Sequence, residues 1–292
     1  MLVSRLSAAS KRETMQRQNV PDLQIVPVRS LILHEDVEPH RVGGIVERFR
    51  REATLKNPPI VGQNGKQRRL IVLDGASRVT AARRLGFPHL LVQSLPYPSP
   101  EIGLDPWHHV VVGMSWQVLV RRASEIPGAV VRVTTWTKGR AMLDARKALA
   151  CLRSPGRLSA VLCLADPKRT GLWPLRELTR LYATDPGLHR VREDQLVFPK
   201  EWLGEERVLV IFPRFRQEEI VRIALRFKDR LPMGITRHTV PNRALRVHYP
   251  LLWLRSNRSI VEKRRHLALF LEERWEAGRI RHYPESTTLY DE

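Results

Sequence analysis

Leu-Ile-Val-Leu-Asp-Gly-Ala-Ser-Arg-Val-Thr-Ala-Ala-Arg-Arg-Leu-Gly, residues 70 to 86, decides how the rest of the chain is read. Leu70 to Leu73 is an unbroken apolar run, the pattern of a strand buried on both faces. Asp74-Gly75 is a turn signal, because glycine adopts backbone angles that a side chain forbids. From Ser77 the pattern turns helical: Val79, Ala82 and Leu85 recur at a spacing of three, and Gly86 supplies a stop. A strand, a tight turn and a helix start leave several backbone N–H groups unpaired and pointing one way. The positive end of the helix dipole stands behind them, so the position suits an anion, most often a phosphate. Arg78 in the first turn can add a charge-assisted hydrogen bond. On these residues alone an ordinary strand-to-helix connection with a solvated arginine stays open, and it is the commoner reading of such a stretch.

Working outward, Leu23 to Val28 reads as a short strand and Arg41 to Glu52 as a helix with Ile45, Val46 and Phe49 on one face. Ile60-Val61 opens another strand, and the polar stretch from Gln63 to Arg69 reads as a hairpin connection into Leu70. Leu90 to Gln93 is a further strand, followed by a proline-rich crossing from Pro96 to Pro106. Beyond it, Val130 to Trp136 and Leu158 to Ala165 read as strands, and Arg140 to Leu152 and Leu175 to Ala183 as helices. Val208 to Phe212 reads as a strand, and Gln217 to Arg230 as an amphipathic helix carrying Ile220, Leu225 and Phe227 inward. Ile260 to Trp275 is a long last helix with Ile260, Leu267, Leu271 and Trp275 on one side. Alternating strands and helices define an α/β or α+β protein. The division expected is an N-terminal arm over residues 1–20, one unit over 21–110 and a second α/β unit over 111–292.

Of the 292 residues, 42% are apolar, which suits a globular chain, and the formal net charge is +20. Such an excess fits nucleic acid, an anionic surface or an acidic small substrate. The basic residues are spread along the whole chain, however, and only nine are lysines. Scattered arginine reads as compositional bias as much as a binding stripe, so nucleic acid is an open but not the favoured partner. Cys151 and Cys163 have no metal-ligand spacing and sit among apolar residues, as buried free thiols of a reducing cytoplasm do. No apolar run is long enough for a membrane span, and no secretory signal is evident.

Three further places carry reactive side chains. His34-Glu35-Asp36 precedes a helix; it reads either as an acidic cap or as a carboxylate that takes a proton from a hydroxyl. Thr236-Arg237-His238 offers a hydroxyl, a guanidinium fork and an imidazole in succession, which suit a carboxylate or phosphate and equally a polar loop. Trp107 beside His108 and His109 is either a ligand wall or a core aromatic. There is no Walker-type phosphate loop, dinucleotide glycine fingerprint, Gly-x-Ser-x-Gly elbow or zinc-binding cysteine set.

Taken together these pieces resemble the ParB/sulfiredoxin superfamily, in which a strand–turn–helix with a Gly-x-x-Arg core binds a nucleotide's phosphates. Within it the chain is most similar to the free L-serine kinases, which carry a His-Glu pair, an Asp-Gly-His-His-Arg turn, a tryptophan and a later Thr-Arg-His. Here these are His34-Glu35, Asp74-Gly75-Ala76-Ser77-Arg78, Trp107 and Thr236-Arg237-His238, in the same order. The resemblance implies transfer of a phosphoryl group from ATP or ADP to the hydroxyl of free L-serine, giving O-phosphoserine. It implies Asp74, Gly75, Ala76, Ser77 and Arg78 on the nucleotide phosphates, with Mg2+ held through Asp74, and Glu35 and Asp74 as catalytic groups. His34, Trp107, Thr236, Arg237 and His238 would hold the substrate. Residues 21–110 would be the nucleotide-binding unit and 111–292 the unit completing the substrate site. Ala76 and Ser77 replace two histidines of the family's turn, which removes two imidazole donors. A cysteine in the turn, needed by sulfiredoxins, is absent, as is the Glu-Arg-Arg triplet of chromosome-partitioning ParB proteins. A nucleotide-dependent DNA-associated or regulatory protein without turnover is the alternative within the same superfamily.

Overall fold

The structure, a computed structural model, describes residues 20–283 apart from 66–67, 157, 167, 169–170, 184–186, 194–205 and 227–229. Nearly all of the expected N-terminal arm lies outside the described residues, as does Phe227. The apolar run at 70 becomes strand β5 (Leu70–Asp74), whose first four residues are buried. It lies inside a five-stranded sheet with β1 (Leu23–Pro27), β2 (Leu31–Leu33), β4 (Ile60–Gln63) and β6 (His89–Pro96), in the order β1-β6-β4-β5-β2. The strand β3 (Thr54–Leu55) stands outside it.

Strand direction brings the reactive segments together. β2 runs parallel to β5, with Leu31 opposite Leu70 and Leu33 opposite Val72. Both strands therefore leave the sheet at the same end, and the residues after each, His34-Glu35 and Asp74-Gly75, emerge side by side. Ligands of parallel strands gather at such carboxyl ends. β4 and β5 form the expected hairpin. Helices α1 (Pro39–Arg51) and α2 (Ala76–Arg84) bury Val42 and Phe49, and Val79, Ala81 and Ala82, against this sheet.

A second sheet of six antiparallel strands comes next, in the order β12-β8-β13-β10-β11-β9. Its strands are β8 (His108–Val112), β9 (Ala129–Thr134), β10 (Ala150–Arg153), β11 (Ser159–Leu164), β12 (Leu188–Val191) and β13 (Arg207–Ile211). Helices α3 (Trp116–Ser124), α4 (Trp136–Asp144), α5 (Trp173–Arg180) and α6 (Gln217–Leu225) accompany it. One apolar cluster runs from Ile60, Ile71 and Leu73 of the first sheet to Val111, Leu152 and Val210 of the second. Cys151 and Cys163 are free and buried, and burial pushes the Cys151 thiol up to about 11.

Three expectations are corrected here. The single helix expected over Arg140 to Leu152 is a helix ending at Asp144, a turn, and then strand β10. The turn carries Arg146 at φ +58°, so the chain reverses without a glycine or proline to announce it. Trp136, expected at the end of a strand, opens α4. Leu225, expected inward, is 36% exposed at the end of α6.

The proline-rich crossing is itself structured. It holds β7 (Gly103–Pro106), which pairs antiparallel with β14 (Thr236–Thr239), setting Thr236 opposite Pro106. The chain then returns to the first sheet. β15 (Tyr249–Pro250) pairs with β3, α7 (Leu251–Arg255) follows, and α8 (Ile260–Glu276) lies along β1 and buries Leu267. Lys263 of α8 is fully buried and donates to the carbonyls of Leu254 (3.1 Å) and Ser256 (2.7 Å), with His89 Nδ1 at 3.1 Å. Among the described residues no helix is long and apolar enough to cross a membrane.

Candidate active site

At the shared end of β2 and β5 lies a cleft of about 200 Å3. His34, Glu35, Asp74, Gly75, Ala76, Ser77, Arg78, Trp107 and Thr236 all line it. An adjoining cavity of about 420 Å3 shares Asp74, Trp107 and Thr236 with it and adds Arg237 and His238. Residues some 200 positions apart meet because two connections hold them. Backbone bonds link Asp36 N–H to the Leu231 carbonyl (2.8 Å) and Leu231 N–H to the His34 carbonyl (2.9 Å). Trp107 N–H donates to the Ile235 carbonyl at 3.1 Å, which sets the indole beside Thr236.

Glu35 is the most enclosed carboxylate of the cleft. Its Oε1 accepts the Thr236 N–H at 3.0 Å and the Thr236 hydroxyl, and its Oε2 accepts the Gly234 N–H at 3.1 Å. His34 Nε2 stands 3.6 Å from Oε1. Burial alone would push the carboxyl up. The nearby His34 ring, with the Thr236 and Gly234 donors, outweighs it and holds Glu35 below its ordinary 4.5. Glu35 is therefore a carboxylate at neutral pH, able to accept a proton.

The turn at 75 favours glycine. Gly75 sits at φ +87° as the cap before α2, and a Cβ there would lie 3.0 Å from Pro59 Cα and from Arg78 Nε. The left-handed conformation aims the first N–H groups of α2 at the cleft. Asp74 at the end of β5 is flanked by Arg78 (Nη2 to Oδ2, 3.5 Å) and hydrogen-bonded by Arg243. Burial pushes Asp74 up, but these two guanidinium groups hold it below 3.8. Arg78 also donates to the Asn57 carbonyl, so its fork is fixed from both sides.

Of the Thr-Arg-His trio, Thr236 faces Glu35, whereas Arg237 lies 5.5 Å over the Trp107 ring in a cation–π contact. His238 is 8% exposed with Nε2 3.0 Å from Tyr97 Oη, and burial takes its pKa down to about 3, so the ring is neutral. His108 and His109 point to opposite sides of β8, as neighbours on a strand must. His108 accepts the Phe212 N–H (3.2 Å) at Nδ1 and meets Glu193 (2.8 Å) at Nε2. His109 donates from Nε2 to the Gly234 carbonyl (3.1 Å), with Tyr182 Oη 3.1 Å from Nδ1. It thus backs the same residue that donates to Glu35, and burial takes its pKa to about 4.

Sequence reasoning passes over several cleft residues. Arg41, Arg190 and Glu38 line it, Arg190 pairing with Glu38 at 3.2 Å. Asp36 is held by Arg176 at 2.8 Å, and Arg243 reaches Asp74 from the far end of the chain. Gly234 sits at φ +65°, where an L side chain is strained, and a Cβ there would displace the Arg190 guanidinium, whose Nε lies 2.4 Å from its position. The Met233-Gly234 turn is the one local signal for it.

The architecture is shared with solved structures of free serine kinases. A free serine kinase variant in complex with ADP superposes with a TM-score of 0.66 at 14% identity, covering 80% of this chain and 94% of that one. In sequence, the chain is similar to the ATP-dependent L-serine kinase SbnI of Staphylococcus aureus, 23% identical over 272 residues, 92% of this chain and 97% of the relative. The structure of that protein with a C-terminal truncation gives a TM-score of 0.70 at 22% identity, over 87% of this chain and 97% of that one. An ATP-dependent L-serine kinase of Staphylothermus marinus is 26% identical over 89 residues, 30% of this chain and 35% of the relative. No protein-family model matches the sequence.

Proposed function

We propose that this chain is a small-molecule kinase of the ParB/sulfiredoxin superfamily that transfers a phosphoryl group from ATP or ADP to the hydroxyl of free L-serine, giving O-phosphoserine. The observation that carries the reading is the ionised Glu35, held by Thr236 and Gly234 on the wall of the cleft that the glycine turn opens into. The similarity to ATP-dependent L-serine kinases supports it. Phosphoryl transfer asks the protein for positioning and charge neutralisation more than covalent chemistry. In this reading the N–H groups of Ala76, Ser77 and Arg78, with the Arg78 guanidinium, hold the donor's phosphates. Ala76 and Ser77 bring no imidazole, and Arg41 and Arg190 on the same cleft can add positive charge. Glu35 takes the proton of the serine hydroxyl, a step worth about 10²–10⁴-fold. Trp107, Thr236, Arg237 and His238 border the amino acid, and His34 supports it through Thr236.

Among the described residues no three His, Cys, Asp or Glu side chains cluster into a metal cage. Mg2+ does not need one, since it commonly takes one or two carboxylates and completes its shell with phosphate oxygens and water. Asp74, ionised and beside Gly75, fits that part. When bound, the ion neutralises charge on the transferred group. We assign residues 21–110 to nucleotide binding and 111–292 to completing the substrate site, and we place the protein in the cytoplasm on its two free buried thiols.

Incubation with serine, Mg2+ and each nucleotide in turn, read by phosphorus NMR for O-phosphoserine, tests the reaction. Glu35→Gln is expected to abolish O-phosphoserine while nucleotide still binds by calorimetry. Turnover near wild type in that variant removes Glu35 from the role of base.

A further inference from the structure

We infer that Glu35, Thr236 and His34 form a proton relay, with the imidazole of His34 as its buried terminus. The inference rests on the reading of Glu35 as the base for the serine hydroxyl. It comes from counting hydrogens. His34 Nδ1 lies 2.8 Å from the Val72 carbonyl. A carbonyl only accepts, so Nδ1 carries a hydrogen and Nε2 is the acceptor of the neutral ring. Nε2 stands 3.0 Å from the Thr236 hydroxyl, and that hydroxyl also meets Glu35 Oε1. One hydroxyl hydrogen thus lies between two acceptors. With Glu35 ionised and His34 neutral, one of the two contacts has no hydrogen in it. A single added proton fills both, either as carboxyl to hydroxyl to imidazole or, reversed, as imidazolium to hydroxyl to carboxylate. The triad is built to hold one proton more than its discharged form.

The transfer balances. As the serine oxygen bonds to phosphorus and the nucleotide's terminal P–O bond breaks, the serine O–H breaks and its proton goes to the Glu35 carboxylate. Glu35 then gives a proton to Thr236 Oγ1 while Thr236's own hydrogen moves to His34 Nε2. The hydroxyl and the carboxylate are regenerated, and His34 is left as imidazolium. Discharge runs back along the same path once product has left. Exposure fits the direction, the Glu35 side chain being 15% exposed and that of His34 4%. The other ionisable groups near His34 do not compete. His238, edge-on at 5.3 Å from β14, is neutral, and Asp74 beyond β5 is engaged by Arg78 and Arg243.

The test is the pH dependence of single-turnover O-phosphoserine formation by the full chain, with the serine KM measured alongside. His34→Asn and Thr236→Val should each move the acid limb down by about one pH unit or more, toward a lone carboxylate. The plateau rate should fall about tenfold or more, because the remaining base has a lower proton affinity, and in His34→Asn, which leaves Thr236 in place, the serine KM should change little. Thr236→Ser, which keeps the hydroxyl, should restore the limb. An acid limb that stays in place in both variants overturns the relay. So does one that rises in His34→Asn, the outcome if an imidazolium merely steadies the carboxylate. A nitrogen-15 NMR titration of the His34 ring provides a readout free of turnover: Glu35→Gln and Thr236→Val should both shift it, and a titration unmoved by either overturns the relay. Absence of O-phosphoserine from the wild-type chain with every nucleotide would sink the kinase reading separately, and the NMR titration would still decide whether the three groups share a proton.

Discussion

Replacing Gly75 by alanine tests the turn on which the cleft depends. The backbone there sits at φ +87°, where an L side chain costs about 1–2 kcal/mol. The new Cβ would also lie 3.0 Å from Pro59 Cα and from Arg78 Nε. Pro59 offers main chain rather than a pliable side-chain tip, and Arg78 is tied to the Asn57 carbonyl and Asp74. Overpacking of this kind costs roughly 1–3 kcal/mol. The sum, roughly 2–5 kcal/mol, is a large part of the ~5–15 kcal/mol by which folded proteins are stable. Urea unfolding should show the midpoint falling at unchanged slope. Gly75→Asn keeps the contact but tolerates the left-handed angles better, and should recover about 1 kcal/mol of the loss. Calorimetry should show nucleotide affinity reduced at least about tenfold, as displacement of Arg78 and the first-turn N–H groups would give. A Gly75→Ala protein within about 0.5 kcal/mol of wild type, binding nucleotide normally, would refute the strained turn and its contact with Pro59.

Two further outcomes concern buried polar groups. His109 and His238 ionise ordinarily at 6.5 but are held by burial to about 4 and about 3, so between those limits the unfolded chain binds more protons than the folded one. Stability should therefore be full above pH 6.5 and decline as pH falls toward 3, and a urea midpoint flat across that window would contradict their burial as neutral rings. Lys263→Met keeps the volume but leaves the Leu254 and Ser256 carbonyls without their donor, at about 1–3 kcal/mol each. An unchanged melting temperature in that variant would mean the ammonium does not hold the turn between α7 and α8.

What the sequence discloses about the fold is local. The strand at Leu70, the turn at Gly75 and the helix after it are encoded by neighbours in the chain, and they stand within a residue or two of where the pattern puts them. The parallel pairing of β2 with β5, which sets Glu35 beside Asp74, is a choice between distant segments, and no spacing announces it. Met142, Leu143, Leu149 and Leu152 satisfy a helical period across a turn, so the pattern reads as one helix where a helix and a strand stand. Arg190 and Arg243 are invisible for another reason. In a chain with forty-one arginines, nothing marks these two as cleft residues until the fold brings Glu38 and Asp74 to them. The motifs at His34-Glu35, Trp107 and Thr236 are legible as chemistry but not as neighbours. Their meeting depends on the bridge at Leu231 and the pairing of β7 with β14.

The return of the last hundred residues to the front of the molecule has a consequence for biosynthesis. A ribosome releases residues 23–96 first, but the floor under β1 is α8, the partner of β3 is β15, and the lid on Glu35 is Thr236. The nascent front half must wait, with apolar surface uncovered, until more than a hundred further residues have emerged. The first sheet therefore completes its packing only after those later segments have emerged.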